Sequence, residues 1–225
     1  MRIQWFGQSA FLISGEQQVF IDPFSGMKEL VAARGMQFDY PEIEGVEAEL
    51  LLVTHEHTDH NGVEAIGGSP HTLRATAGTH ESPVGEVIGI ASEHDDAAGT
   101  QRGPNTIFCF TLDGLRICHF GDFGQAALRP EQLAAIGQVD VLILPVGDGP
   151  TIGGESAAAV VRALRPRLVV PMHYRTEAIN FLDPPDAFLD ALGARIERLD
   201  ETGFDVEEHL GTTDDPTVVI PATPS

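Results

Sequence analysis

The feature that most constrains this chain is a junction. Four apolar residues, Leu50-Leu51-Leu52-Val53, run directly into Thr54-His55-Glu56-His57-Thr58-Asp59-His60-Asn61. An unbroken apolar run of that length reads as a strand covered on both faces. Three imidazoles and a carboxylate between His55 and His60 are costly to bury without partners, and an exposed loop has no reason to concentrate histidines. A bound cation reconciles the two. Imidazole with carboxylate suits zinc, manganese or iron, and the lack of nearby thiolates argues against a cysteine-rich structural zinc site. A loop leaving a strand end turns His55 and His57 to one side and Asp59 and His60 to another, which serves two adjacent ions better than one.

The surrounding pattern is strand-rich first and alternating later. Ile3–Phe6, Ala10–Ser14, Val19–Ile21, Leu50–Val53 and Val87–Ala91 read as strands, with a short helix at Ser25–Arg34. Thr106–Leu112 and Leu115–Phe120 flank Asp113-Gly114, the residue pair of a type I′ hairpin. Thr79-His80-Glu81-Ser82-Pro83 reads as a turn. Beyond it, Val139–Pro145, Leu168–Val170 and Arg195–Leu199, expected to be the last strand, alternate with helices at Pro130–Ile136, Glu155–Leu164 and Pro185–Leu192. Such an order predicts two sheets covered by helices. Residues 1–210 are expected to form one domain. Residues 211–225, with Asp214-Asp215-Pro216 and two later prolines, read as a loose tail.

Charge narrows the partners. The 225 residues carry 13 basic and 34 acidic side chains, a formal net charge of -21. That surface repels nucleic-acid phosphates and anionic membranes, so the expected partner is a small molecule; a homo-oligomer is compatible with the sequence. The start, Met1-Arg2-Ile3-Gln4-Trp5, has neither the basic nor the apolar segment of a secretory signal. With only Cys109 and Cys118, on the two arms of the hairpin, the expected state is two buried thiols in the cytoplasm.

The segment His55-x-His57-x-Asp59-His60 resembles the HxHxDH signature of the metallo-β-lactamase superfamily. The resemblance implies a four-layer αββα sandwich with two divalent metal ions, zinc first and manganese or iron as alternatives. It also implies further ligands in a set order. His94, in Ser92-Glu93-His94-Asp95, would join His55 and His57 at the first ion. Asp122, in His119-Phe120-Gly121-Asp122, would bridge the pair. His173, in Pro171-Met172-His173-Tyr174, would join Asp59 and His60 at the second. Asp22, in Ile21-Asp22-Pro23, would support the site from behind its ligands. Trp5-Phe6-Gly7-Gln8-Ser9 and Leu144-Pro145-Val146-Gly147 are most similar to the branch that contains ascorbate-6-phosphate lactonase and short hydrolases.

The function this resemblance implies is that of a metal-dependent hydrolase acting on a small ester, lactone or amide. Two ions share a water and lower its pKa so that hydroxide forms near neutrality. Asp59 and Asp122 are the carboxylates assigned to catalysis, and either Asp59 or a water on the metal returns the proton. A phosphodiesterase with the same ion pair, and a non-catalytic metal-binding module, are the rival readings. His71, His119 and His209 are not expected to be ligands, although His119 is a candidate to steady one. Arg102, in the 99–105 loop, and Tyr174 are candidate substrate contacts; the Gly147–Ile152 loop is expected at the same edge.

Overall fold

The computed structural model describes residues 1–225. Two large sheets organise it. The first has six strands in the spatial order Gly203–Asp205, Arg2–Gly7, Ala10–Ser14, Gln18–Ile21, Leu50–Val53 and His71–Arg74. The second has eight, in the order Arg195–Arg198, Thr217–Ile220, Leu168–Met172, Val141–Pro145, Leu115–His119, Pro104–Leu112, Gly85–Glu93 and Gly78–Ser82. Helices lie at Met27–Ala32, Pro130–Ile136, Gly154–Leu164 and Asp186–Leu192. The layers make an αββα sandwich, as expected.

Local chemistry accounts for the elements. Leu50–Val53 is buried on both faces, each side chain 1% exposed or less, which contributes about 1.5–3 kcal/mol per residue. Ile3 and Trp5 alternate inward from Arg2–Gly7 to meet them in one continuous core. Asp113 (φ 50°) and Gly114 (φ 78°) both lie in the left-handed region that a type I′ turn requires. The Gly154–Leu164 helix ends with Arg165 in the left-handed region, just before Pro166, and packs on Asp186–Leu192.

Three expectations need correction. Residues 211–225 are not a loose tail. Thr217–Ile220 is a buried strand running parallel to both Leu168–Met172 and Arg195–Arg198. The β-branched run Val218-Val219-Ile220 decides this, because burying it outweighs the turn-forming Asp214-Asp215-Pro216 before it. Arg195–Arg198 is likewise not the last strand, since Gly203–Asp205 also follows it and pairs with Arg2–Gly7. Thr79–Ser82 is no turn either: Gly78–Ser82 is an edge strand antiparallel to Gly85–Glu93.

The topology places one edge of the sandwich under particular chemistry. Gln18–Ile21 and Leu50–Val53 run parallel, as do Leu115–His119, Val141–Pro145 and Leu168–Met172. Their carboxyl ends deliver Asp22, Thr54-His55, Asp122, Gly147 and His173, and such ends are where α/β sheets bind ligands.

Candidate metal centre

Seven side chains anticipated from the sequence meet at that edge. Three sets of donor atoms each lie within 4.8 Å of one another: His55, His57 and His94; His55, His60 and Asp122; and Asp59, His60 and His173. Asp122 sits between them. Its Oδ2 is 3.1 Å from His94 Nε2, 3.2 Å from His173 Nε2, 3.3 Å from His60 Nε2 and 3.9 Å from His55 Nε2. His57 Nδ1 faces His55 Nε2 at 3.0 Å.

The backbone is bent to achieve this. His173 and Asp22 each directly follow a strand and adopt φ of 52° and 51°, while Gln8, between two strands, has φ 50°. The left-handed region costs a side-chain-bearing residue about 1–2 kcal/mol, and here it swings each chain abruptly at the sheet edge. Gly121 (φ 54°) has a second constraint. A Cβ there would come within 2.4 Å of Asn105 Oδ1 and 2.6 Å of Thr54 Oγ1. Only glycine lets the chain pass between those two groups and present Asp122.

Hydrogen bonds then fix three of the rings. Asp22, fully buried, accepts from the Thr54 amide (2.7 Å), the Thr54 hydroxyl (2.7 Å) and His60 Nδ1 (2.9 Å). His55 Nδ1 lies 3.1 Å from the Thr54 hydroxyl oxygen. His94 Nδ1 donates to the Pro150 carbonyl at 3.0 Å, which gives the 147–152 loop its place beside the centre. With each outer nitrogen committed to a partner, the inner Nε2 lone pairs of His55, His60 and His94 turn toward the cluster.

Several contributors were not anticipated. Gln8 donates to Asp59 Oδ2 (3.2 Å) and Ser9 to Asp122 Oδ1 (3.4 Å). Asn105 accepts from the Asp122 amide at 3.0 Å and donates to Ser92 and to the Phe120 carbonyl. Gln8 and Ser9 stand in a motif that carries the resemblance, but as a polar pair between two apolar strands they equally well describe a turn, and nothing local gives them a role at the site.

The electrostatics suit a cation. Burial and then the neighbouring His60 cation hold His55 neutral down to about pH 2. Burial opposes charge on His60, yet Asp122, Asp59 and Asp22 outweigh it and raise its pKa. Burial likewise opposes ionisation of Asp122, but His173 and His60 hold its carboxyl well below the usual range. The carboxylates therefore draw positive charge into a buried place, and His60 Nε2 is buried there without a hydrogen-bond partner. An orphaned imidazole nitrogen aimed among carboxylates fits a divalent ion, which needs neutral imidazole and ionised carboxylate.

His119 is not among the converging donors. Its Nδ1 accepts from the Gly121 amide and its Nε2 donates to the Ser9 carbonyl, both at 3.1 Å. Burial lowers its pKa. In the unfolded chain it takes a proton near pH 6.5, so its contribution to stability is complete above that value and is lost as pH falls below it. The loss is at most about 1.4 kcal/mol per pH unit. Urea unfolding of the metal-free His119→Gln variant should therefore weaken less between pH 7 and 5 than the wild type. Equal acid sensitivity would place the effect elsewhere. His71 lies on an edge strand and His209 pairs with Glu197.

The centre opens into a cavity of about 510 Å³ whose walls include His57, Asp59, His94, Asp122, His173 and Arg102. Tyr174 is not in that wall. It is buried and stacked on Trp5 at 5.6 Å, because the chain leaves His173 into the core.

A fold with its donors gathered at the sheet edge defines a class, the metal-dependent hydrolases of the metallo-β-lactamase superfamily. The family model "Beta-lactamase superfamily domain" matches residues 2–173. A UPF0173 metal-dependent hydrolase of Thermococcus kodakarensis is 32% identical, the match covering 83% of this chain and 90% of the relative. One from Pelotomaculum thermopropionicum is 30% identical with the same coverage. A candidate zinc-dependent hydrolase of this superfamily from Thermotoga maritima superposes with a TM-score of 0.76 at 27% identity, covering 97% of both chains. The chain belongs to the UPF0173 metal-dependent hydrolases of the metallo-β-lactamase superfamily. No helix is long and apolar enough to cross a membrane.

Proposed function

We propose that this hydrolase works through two divalent ions, zinc in the first instance, on a small ester, lactone or amide. His55, His57 and His94 would hold one ion, and Asp59, His60 and His173 the other. The observation that supports a pair is the position of Asp122, whose single oxygen Oδ2 lies within 3.9 Å of imidazoles from both sets. Bound ions would acidify a water and polarise the electrophile.

The chain's own groups do the rest. Ser9 bonds the Asp122 carboxylate, and Asn105 anchors the backbone amide of the same residue. Asp59, its side chain 22% exposed against 3% for Asp122, faces the cleft. There it would take the proton released by the attacking water and return it to the leaving group, the other candidate for that return being a water on the metal. Gln8 steadies that carboxylate from the other side. We place the activity in the cytoplasm, where the buried thiols of Cys109 and Cys118 stay reduced.

The test combines stoichiometry with a substrate panel. Protein reconstituted with zinc or manganese should hold two equivalents by elemental analysis and hydrolyse lactones or activated esters. One equivalent would remove the paired-ion reading, and turnover of bis-phosphodiesters alone would move the activity to phosphodiester cleavage.

A further inference from the structure

The chain's few positive side chains are almost all spoken for. With 34 carboxylates against 13 basic residues, an arginine in this protein rarely lacks an acceptor. Arg2, Lys28, Arg74, Arg129, Arg165, Arg167, Arg175 and Arg195 each form an ion pair. Arg116 and Arg162 donate to backbone carbonyls. Only Arg34, Arg102 and Arg198 have side chains without a partner, and two of these three line the cavity at the metal centre.

The position of Arg102 is built rather than incidental. Asp95, a carboxylate of the same loop, is buried and saturated by the backbone. It accepts from the amides of Ala97 (2.9 Å), Gly99 (2.9 Å), Gln101 (3.0 Å) and Arg102 itself (2.8 Å). Those four bonds pin the loop and leave the guanidinium free at the cleft.

Arg34 approaches from a second element. It follows the Met27–Ala32 helix, in a turn closed by its amide on the Val31 carbonyl at 2.9 Å. That helix carries apolar groups into the same cavity. Leu30 is 44% exposed, one of only two large hydrophobic residues so exposed in the chain, and it lines the cleft together with Met36 and Phe181. An apolar side chain left open beside two unpaired guanidinium groups calls for a ligand with both properties.

We infer that the substrate carries an oxyanion, carboxylate or phosphate, and an apolar arm, with Arg34 and Arg102 binding the charge and the Leu30 wall receiving the arm. This inference rests on the hydrolase reading of the adjacent centre, in that the bond to be cut must lie toward His57 and Asp122. The oxyanion lies away from it.

Binding, rather than turnover, tests it. Calorimetric titrations of 4-phenylbutanoate, 3-phenylpropyl phosphate and neutral 4-phenylbutanamide into metal-free and metal-loaded protein compare charge on a constant apolar arm. In both forms the better oxyanion should bind at least about tenfold more tightly than the amide, with the preference weakening as salt rises. Arg34→Gln and Arg102→Gln should each reduce that preference by about tenfold. Whichever of carboxylate and phosphate binds more tightly identifies the substrate's anionic group. Equal binding of the amide, or an oxyanion preference unchanged in both arginine variants, would overturn the inference. A preference present only with metal would assign the oxyanion to the ions and overturn it as well. Arginine-dependent binding by a protein that hydrolyses nothing would keep the subsite and remove the hydrolase reading instead.

Discussion

Asp122→Asn should abolish hydrolysis and strip metal from the protein while leaving it folded. Asp122 Oδ2 is a carboxylate oxygen close to imidazoles of both donor sets. Its carboxyl is buried and, against that burial, is held ionised by His173 and His60. An asparagine keeps the shape but removes the charge and turns an N–H2 or a neutral oxygen toward four ring nitrogens. Residues that merely orient metal ligands are worth about 10–100-fold in affinity, so loss of a bridging ligand should exceed about 100-fold. The metal-free fold should tolerate the change, since the Ser9 and Asn105 contacts survive with an amide oxygen in place. Stabilisation by metal follows RT ln(1 + [L]/Kd). Added zinc should therefore raise the melting temperature of the wild type and barely move that of the variant. An Asp122→Asn protein that kept two equivalents of metal and wild-type turnover would end the bridging assignment.

The legibility of this centre in the sequence has a physical reason. Histidine and aspartate are expensive to bury, so their concentration after Leu50–Val53 demands a compensating charge on sequence grounds alone. His94, Asp122 and His173 lie at strand ends that apolar runs mark, and the resemblance to the metallo-β-lactamase superfamily, rather than the residues alone, singles them out as the rest of the set. The partners that orient these ligands are hidden for the opposite reason. Gln8, Ser9 and Asn105 are single polar residues whose contacts span 51 residues, 113 residues and 17 residues of chain respectively. Such contacts leave no periodicity in a local window.

The same distinction runs through the fold. Strands covered on both faces are visible as unbroken apolar runs, whereas Gly78–Ser82 at the sheet edge, polar and half open, looks like a turn. Thr217–Ile220 is masked by the proline and aspartates around it, and its burial depends on the much earlier Leu168–Met172 as well as on Arg195–Arg198. Asp95 shows the limit from another side. Beside Asp96 it reads as part of a solvated acidic loop, yet it is the buried acceptor around which that loop is tied.

Asp22 offers the sharpest separation of fold from function, because two substitutions there should fail in different ways. Its carboxylate accepts from the Thr54 amide, the Thr54 hydroxyl and His60 Nδ1, all within the core and all at 2.9 Å or less. Through His60 directly, and through Thr54 to His55 Nδ1 at 3.1 Å, it sets one ring from each donor set. Asp22→Ala would leave the Thr54 amide and His60 Nδ1–H buried without acceptors, at about 1–3 kcal/mol each. It would also place a β-carbon-bearing residue with no polar compensation at φ 51°, adding about 1–2 kcal/mol. That variant should melt well below the wild type even without metal. Asp22→Asn is different. Asparagine tolerates the left-handed backbone and keeps one oxygen for the Thr54 amide. Its NH2, however, now faces His60 Nδ1 and donates to it. The His60 proton then moves to Nε2, which blocks the nitrogen that should reach the metal. The asparagine variant should stay folded, lose about 10–100-fold in metal affinity, and show the inverted His60 tautomer in histidine side-chain NMR. A folded Asp22→Asn protein with wild-type metal content and an unchanged His60 tautomer would refute this account of how the site is held.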